Sequence, residues 1–181
     1  MRYLIDDVLR LQIHSIYTSK YAVTYIVLKM IKAVIFDLGN TLVSEETGNA
    51  FPYAVEVLNQ LKNKYKLALI TNVHPTTTTE KVQEILAEAG IPDVFEVVVV
   101  SSEVGCSKPN PQIFEIALNG LDIEPEEAVM IGNISSTDIF GANRIGMKTV
   151  LFQPSNEYQR SDWENPDHTI HSLKDLTRLL E

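Results

Sequence analysis

Two periods of apolar residues alternate along the chain. Ile31-Lys32-Ala33-Val34-Ile35-Phe36 is a nearly unbroken apolar run, the pattern of a strand buried on both faces. Ala54, Val55, Leu58 and Leu61 then recur at helical spacing and predict one inward face, and Leu67 to Ile70 predicts a second strand. Val82, Ile85, Leu86 and Ala89 repeat the helical period, with Gly90 placed to end that helix because glycine enters the left-handed region cheaply. Val97 to Val100 predicts the third strand. Asn110 and Pro111 have the residue types of an N-cap and a first-turn proline, ahead of a helix that carries Ile113, Phe114, Ala117 and Leu118 inward. Ala128 to Ile131 is a fourth strand, a helix runs from about Ser136 to Gly146, and Thr149 to Phe152 is a further strand. Ser172 caps a last helix through Leu180.

Strands and helices in strict alternation predict right-handed βαβ units, and so an α/β fold: a Rossmann-like three-layer α/β/α sandwich with a mainly parallel sheet. The chain has 181 residues, 45% hydrophobic and 22% charged, which suits one domain with a full core. No internal repeat is visible, and the one low-complexity tract is Thr76 to Thr79. The core is expected over residues 30–181, because Met30 stands directly before the first strand. Residues 1–29 then have two readings: a helix and edge strand packed on the domain, or an extension upstream of a misplaced start codon. The apolar run Tyr21 to Leu28 is too short to span a bilayer, and the segment lacks the basic start and small-residue cleavage site of a secretory signal.

The net charge of −9 disfavours a nucleic-acid partner, since no stretch supplies a basic patch to meet a phosphate backbone. A small anion is still acceptable where the site is locally positive. Cys106 is the single cysteine, which excludes an intrachain disulfide and fits a reducing, cytoplasmic setting.

Open parallel sheets bind ligands beyond the carboxyl ends of their strands. The informative polar residues fall there: Asp37 after strand one, Thr71 and Asn72 after strand two, Lys108 after strand three, Asn133 and Asp138 after strand four. Singly, each has a bland reading, with Asp37 a helix cap, Thr71 a turn residue and Lys108 a solvated charge. As an ordered set at strand ends, they point to a site.

The stretches IKAVIFDLGNTLV, KLALITN, SKPNPQIF and AVMIGNISSTDIFGANRIGM together resemble the four motifs of the haloacid dehalogenase superfamily, from Met30 to about Phe152 and more loosely from Asp167 to Leu180. That beginning at Met30 favours the extension reading of residues 1–29. The resemblance implies a Mg²⁺-assisted phosphatase. In it, Asp37 would be the nucleophile that forms an aspartyl-phosphate. Thr71 and the Asn72 amide would bind phosphate, and Lys108 would hold Asp37 and the phosphate together. Mg²⁺ would be held by Asp37, the Gly39 carbonyl and Asp138, with Asn133 nearby.

Two positions depart from the family pattern. Its phosphatases usually have an aspartate two residues after the nucleophile, acting as general acid and base, where this chain has Gly39. Their fourth motif begins Gly-Asp, where this chain has Gly132-Asn133, one negative charge fewer for the metal. His74, just past the second motif, and Glu45 and Glu46, in the loop after the first, are the candidates for a replacement acid, each with a plain surface-residue reading beside it. Cys106, His14, His168 and His171 carry no assigned chemistry.

Many members of this family insert a cap domain. Here only Ser44 to Tyr53 separates the first motif from its helix, and Val73 to Ser107 holds one helix and one strand, so no cap is expected. An open site suits a larger substrate or a neighbouring subunit as cover, hence a homo-oligomer. TDIFGANRIGMKTVLFQP is similar to the capless phosphatidylglycerophosphate phosphatases, while KPNPQIF is similar to the capped phosphoglycolate-phosphatase-like branch. Small-molecule and lipid-linked phosphate esters both stand as substrates. The alternative reading is a catalytically degenerate phosphate-binding or protein-interaction module on the same fold.

Overall fold

The strand that runs through the middle of the structure is Ala33–Phe36 (β1), and all four of its residues are fully buried. The computed structural model describes residues 31–154 and 165–180. The expectations for residues 1–29 lie outside the described residues. After β1 come helix α1 (Ala54–Leu61), β2 (Lys66–Thr71), α2 (Thr79–Glu88), β3 (Val97–Val100), the short α3 (Ser101–Val104) and α4 (Pro111–Leu121). They are followed by β4 (Ala128–Gly132), a π-helical turn at Ser135–Ile139, α5 (Phe140–Arg144), β5 (Lys148–Phe152), β6 (His168–Ile170) and α6 (Asp175–Leu179).

The strands form one six-stranded sheet in the order β3-β2-β1-β4-β5-β6, and every pairing is parallel. Connections run outward from β1 to β3, then cross back to start again at β4. The direction of winding therefore reverses between β1 and β4, and the crevice at their carboxyl ends is where such sheets take ligands.

Side chains along β1 point alternately to the two faces, and each face has its own core. Val34 and Phe36 join Leu67, Leu69, Val129 and Ile131 under α1, α2 and α6. Ala33 and Ile35 join Ala68, Ile70, Met130 and Ala128 under α4 and α5. This is the expected three-layer arrangement. Residues 37–53 lead from β1 to α1, and α2 is the only helix between β2 and β3, so no cap is inserted among the described residues.

Several local expectations needed correction. Helix α1 turns Val57 inward with Ala54, Leu58 and Leu61, while Val55 is exposed. The helix starts at Ala54, after Tyr53 in the left-handed conformation (φ 68°), which sets the phase as i, i+3, i+4, i+7. The last helix begins at Asp175 rather than at Ser172, whose hydroxyl accepts from the Lys174 amide at 3.3 Å in the preceding turn. Lys108 follows α3 instead of β3 directly, because Ser101–Val104 closes one helical turn first. Edge strand β6 had no apolar signature, with only Ile170 of its three residues buried. Asn110 does cap α4, its side chain accepting from the Gln112 amide at 3.0 Å.

Gly141, at the head of α5, is needed for close packing. A Cβ there would lie 2.5 Å from Cε2 and 2.7 Å from Cζ of Phe114, and 3.0 Å from Cα of Pro109, the residue after Lys108. Backbone cannot yield as a flexible side chain can, so the helix and the Lys108 loop would have to part. Gly141→Ala is therefore expected to destabilise the fold by about 1–3 kcal/mol. That corresponds to a fall of roughly 2–4 °C in Tm for each kcal/mol, read by thermal unfolding. An unchanged Tm would show that the contact relaxes freely.

Candidate active site

The site is built at the reversal point between β1 and β4. Asp37 directly continues β1, its amide donating to the Ile131 carbonyl of β4 at 2.9 Å. From the other side of β1, the loop after α3 brings in Lys108, only 4% exposed. The Asn72 side chain holds the Lys108 backbone at both ends: its Oδ1 accepts from the Lys108 amide at 2.9 Å, and its Nδ2 donates to the Lys108 carbonyl at 3.0 Å. Asn72 thus acts through its side chain as well as standing where its amide was expected to serve.

Held so, Lys108 Nζ donates to Asp37 Oδ1 at 2.6 Å, to the Ile70 carbonyl at 3.0 Å, and contacts Asp138 Oδ1 at 2.8 Å. An ammonium has three protons, and three acceptors take them. The group is fixed in direction as well as in place.

Asp138 reaches it from the π-helical turn after β4. Its Oδ2 accepts from the Ile134 amide at 3.0 Å, folding the side chain back toward the strand end. Gly132 makes this fold possible, for a Cβ at that position would meet Cβ and Cγ of Asp138 at 2.5 Å. The regular helix expected from Ser136 therefore starts as a wider turn, a form often found at functional sites. Both oxygens of Asp138 have protein donors, so its first duty in this geometry is toward Lys108.

Thr41, which the sequence reading passed over, closes the other side. Its hydroxyl lies 3.0 Å from Asp37 Oδ2 and 3.2 Å from Asn133 Oδ1. One hydroxyl proton serves both oxygens, so one acceptor is left short of a donor. Thr41 is buried four residues after Asp37 inside the first motif, and that position was the available signal. Thr71 ends β2, buried and in register with Val100. Gly39 and Glu45 lie in the loop that follows Asp37, close to each other. His74 is exposed, with Nδ1 bonded to the Thr76 hydroxyl at 3.0 Å within its own turn.

Burial pushes the Asp37 carboxyl above its ordinary range; the Lys108 charge opposes this, and the Asp138 charge adds to it. Burial alone would discharge Lys108, but the charges of Asp37 and Asp138 outweigh it and hold the ammonium above its ordinary value. The cluster sets two carboxyl groups against a single ammonium. A cation, or hydrogen-bond donors brought by a ligand, would complete it.

Residues 13–152 match the model of the haloacid dehalogenase-like hydrolase family, most of the chain, and the protein belongs to that family. Among its relatives, a glyceraldehyde 3-phosphate phosphatase of Pyrococcus furiosus is 36% identical over 131 residues, covering 72% of this chain and 52% of that protein. A ribulose-1,5-bisphosphate 5-phosphatase of Halopiger xanaduensis is 34% identical over 137 residues, covering 71% of this chain and 56% of that protein. The chain thus spans about half the length of the curated relatives it matches. A solved structure of a protein from Listeria monocytogenes serotype 4b superposes with a TM-score of 0.70 at 30% identity, covering 83% of this chain and 97% of that one.

If Lys108 is held by both carboxylates, removing it leaves two buried like charges facing one another. Lys108→Met is expected to cost about 3–5 kcal/mol in denaturant unfolding. Adding Asp138→Asn should recover part of that loss, because the pair is coupled. Strictly additive effects of the two substitutions would contradict a shared cluster.

Proposed function

We propose that this chain hydrolyses phosphate monoesters through a covalent phosphoryl group on Asp37. The observation that carries the reading is the Lys108 ammonium, buried and bonded to Asp37 at 2.6 Å at the sheet's reversal point. A structural salt bridge needs no particular place in the sheet, whereas this carboxylate directly continues β1 at the carboxyl end, where such sheets take ligands.

In the reaction, an oxygen of Asp37 attacks phosphorus in line, and the bond from phosphorus to the ester oxygen breaks. Lys108 opposes the effect of burial on Asp37, aims its carboxyl group, and offsets charge that would otherwise repel an incoming dianion. Thr71, at the end of β2, would donate its hydroxyl to a phosphate oxygen, with the Asn72 amide beside it. Water then attacks phosphorus, the Asp37–phosphate bond breaks, and inorganic phosphate leaves with Asp37 restored. Asp138 positions Lys108 through its Oδ1.

The donor set fits a hard divalent cation. Asp37 Oδ2 and Asn133 Oδ1 are oxygen acceptors sharing the single Thr41 proton, and Mg²⁺ prefers such ligands while keeping several waters. Asp37, the Gly39 carbonyl and Asp138 would hold it, with the Asn133 side-chain oxygen beside them. When bound, Mg²⁺ would neutralise charge on the transferring phosphoryl group. Among the described residues, no group of three or more His, Cys, Asp or Glu is arranged to hold a metal, so binding leans on the Asn133 amide. Weaker affinity than a full carboxylate site follows.

The two relatives named above act, by their names, on small phosphorylated carbohydrates, and the same class is the first choice of substrate here. A lipid-linked phosphate is the second; no helix among the described residues is long and apolar enough to cross a membrane. An open site also suits cover from a second copy of the chain.

Turnover of p-nitrophenyl phosphate with Mg²⁺ tests the reading, with Asp37→Asn as the control. The amide keeps the shape but loses the nucleophile, so activity should fall by at least about 10³-fold, in line with losses on removing a reacting group. An equal rate in both proteins would remove Asp37 from the chemistry, and no turnover in the wild type would favour a phosphate-binding module instead.

A further inference from the structure

The reaction above needs a proton for the leaving oxygen, and the loop after β1 places one carboxyl group in a distinctive position. Gly39, two residues past Asp37, does not have a positive φ, so its backbone conformation does not demand glycine. What excludes a side chain is Glu45. A Cβ at position 39 would lie 2.5 Å from Glu45 Oε1, 3.2 Å from Cδ and 3.4 Å from Cγ. The Glu45 side chain occupies the volume in which a side chain of residue 39 would start.

It is held there rather than merely passing through. Asn40 donates from Nδ2 to Glu45 Oε2 at 2.8 Å, and Asn40 Oδ1 accepts from the Glu45 amide at 3.1 Å. Asn40 itself is in the left-handed conformation, φ 55°, which asparagine tolerates better than most residues. Bridges from Gly39 to Val43 and from Val43 to Ala50 close the loop on both sides. The clamp occupies Oε2 and leaves Oε1 over Gly39.

We infer that Glu45 is the general acid and base of this site, reaching from the loop into the space vacated at residue 39, and that the substrates are phosphate esters of aliphatic alcohols. The inference rests on the phosphatase reading. As the bond from phosphorus to the ester oxygen breaks, its electron pair stays on that oxygen, which takes the proton of the Glu45 carboxyl group. The resulting Glu45 carboxylate accepts a proton from the water that attacks the phosphoryl group on Asp37. The second step restores both residues and releases inorganic phosphate. An aliphatic alkoxide is a poor leaving group and gains most from this proton, whereas p-nitrophenolate leaves with little help.

The test compares two substrates, glycerol 1-phosphate and p-nitrophenyl phosphate, in the full chain with Mg²⁺. Glu45→Gln should lower kcat on glycerol 1-phosphate by about 10²–10⁴-fold and on p-nitrophenyl phosphate by less than about tenfold. The double variant Gly39→Asp with Glu45→Gly should regain at least about tenfold on glycerol 1-phosphate over Glu45→Gln, because a carboxyl group returns to the vacated volume. A merely structural Glu45 would depress both substrates alike and would not be rescued from residue 39. Equal losses, no loss, or a wild type that turns over only p-nitrophenyl phosphate would each overturn the role of Glu45 while leaving the phosphatase reading standing. A wild type that turns over neither substrate overturns both.

Discussion

The structure turns on a single buried ammonium between two carboxylates. Burying charge is costly, and a pair is stable only when its geometry is good and its remaining hydrogen-bonding capacity is met. Lys108 meets that condition with three acceptors for three protons, Asp37, Asp138 and the Ile70 carbonyl. Much of the local architecture follows from keeping it there. The Asn72 side chain clamps the Lys108 backbone, Gly132 lets Asp138 fold back, and Gly141 lets α5 approach the residue after Lys108. The widened turn after β4 serves the same end. These contacts come from β1, β2, β4 and the loop after α3, so the cluster ties together both halves of the sheet.

Such a cluster would be a poor use of stability if it served the fold alone, since apolar residues of similar volume often do as well or better. Its position gives it a purpose. It lies where the winding of the sheet reverses, at the carboxyl ends of the central strands, with two carboxyl groups set against one ammonium. Membership in the haloacid dehalogenase-like hydrolase family agrees with that placement. Among the described residues no cap is inserted, and the polar residues of the cluster come from strand-end loops and turns.

Periodicity made most of the sheet and both core faces legible, because β1, β2, β4 and β5 are nearly continuous apolar runs buried on two sides. Edge strand β6 was not legible: one face meets solvent and only Ile170 is buried, so no pattern separates it from a loop. The inward turn of Val57 instead of Val55 depended on where α1 begins, which Tyr53 sets through its left-handed backbone. At the site, Asp37, Asn133 and Asp138 do follow strand ends in the order the sequence suggested, while Lys108 reaches Asp37 from beyond α3. Thr41 was harder to read, since its importance comes from a hydroxyl placed between Asp37 and Asn133, the second of them 92 positions away from it. Nor could the sequence show that Glu45 fills the space beside Gly39, for that depends on how Asn40 folds the loop back on itself.

The most direct measurement is acid quenching of the enzyme during turnover of a phosphate monoester, followed by peptide mass spectrometry. The account predicts a phosphoryl group on the peptide that contains Asp37, and on that carboxylate alone. Steady release of inorganic phosphate with no phosphorylated enzyme trapped at any quench time, or the phosphoryl group on another residue, would contradict it.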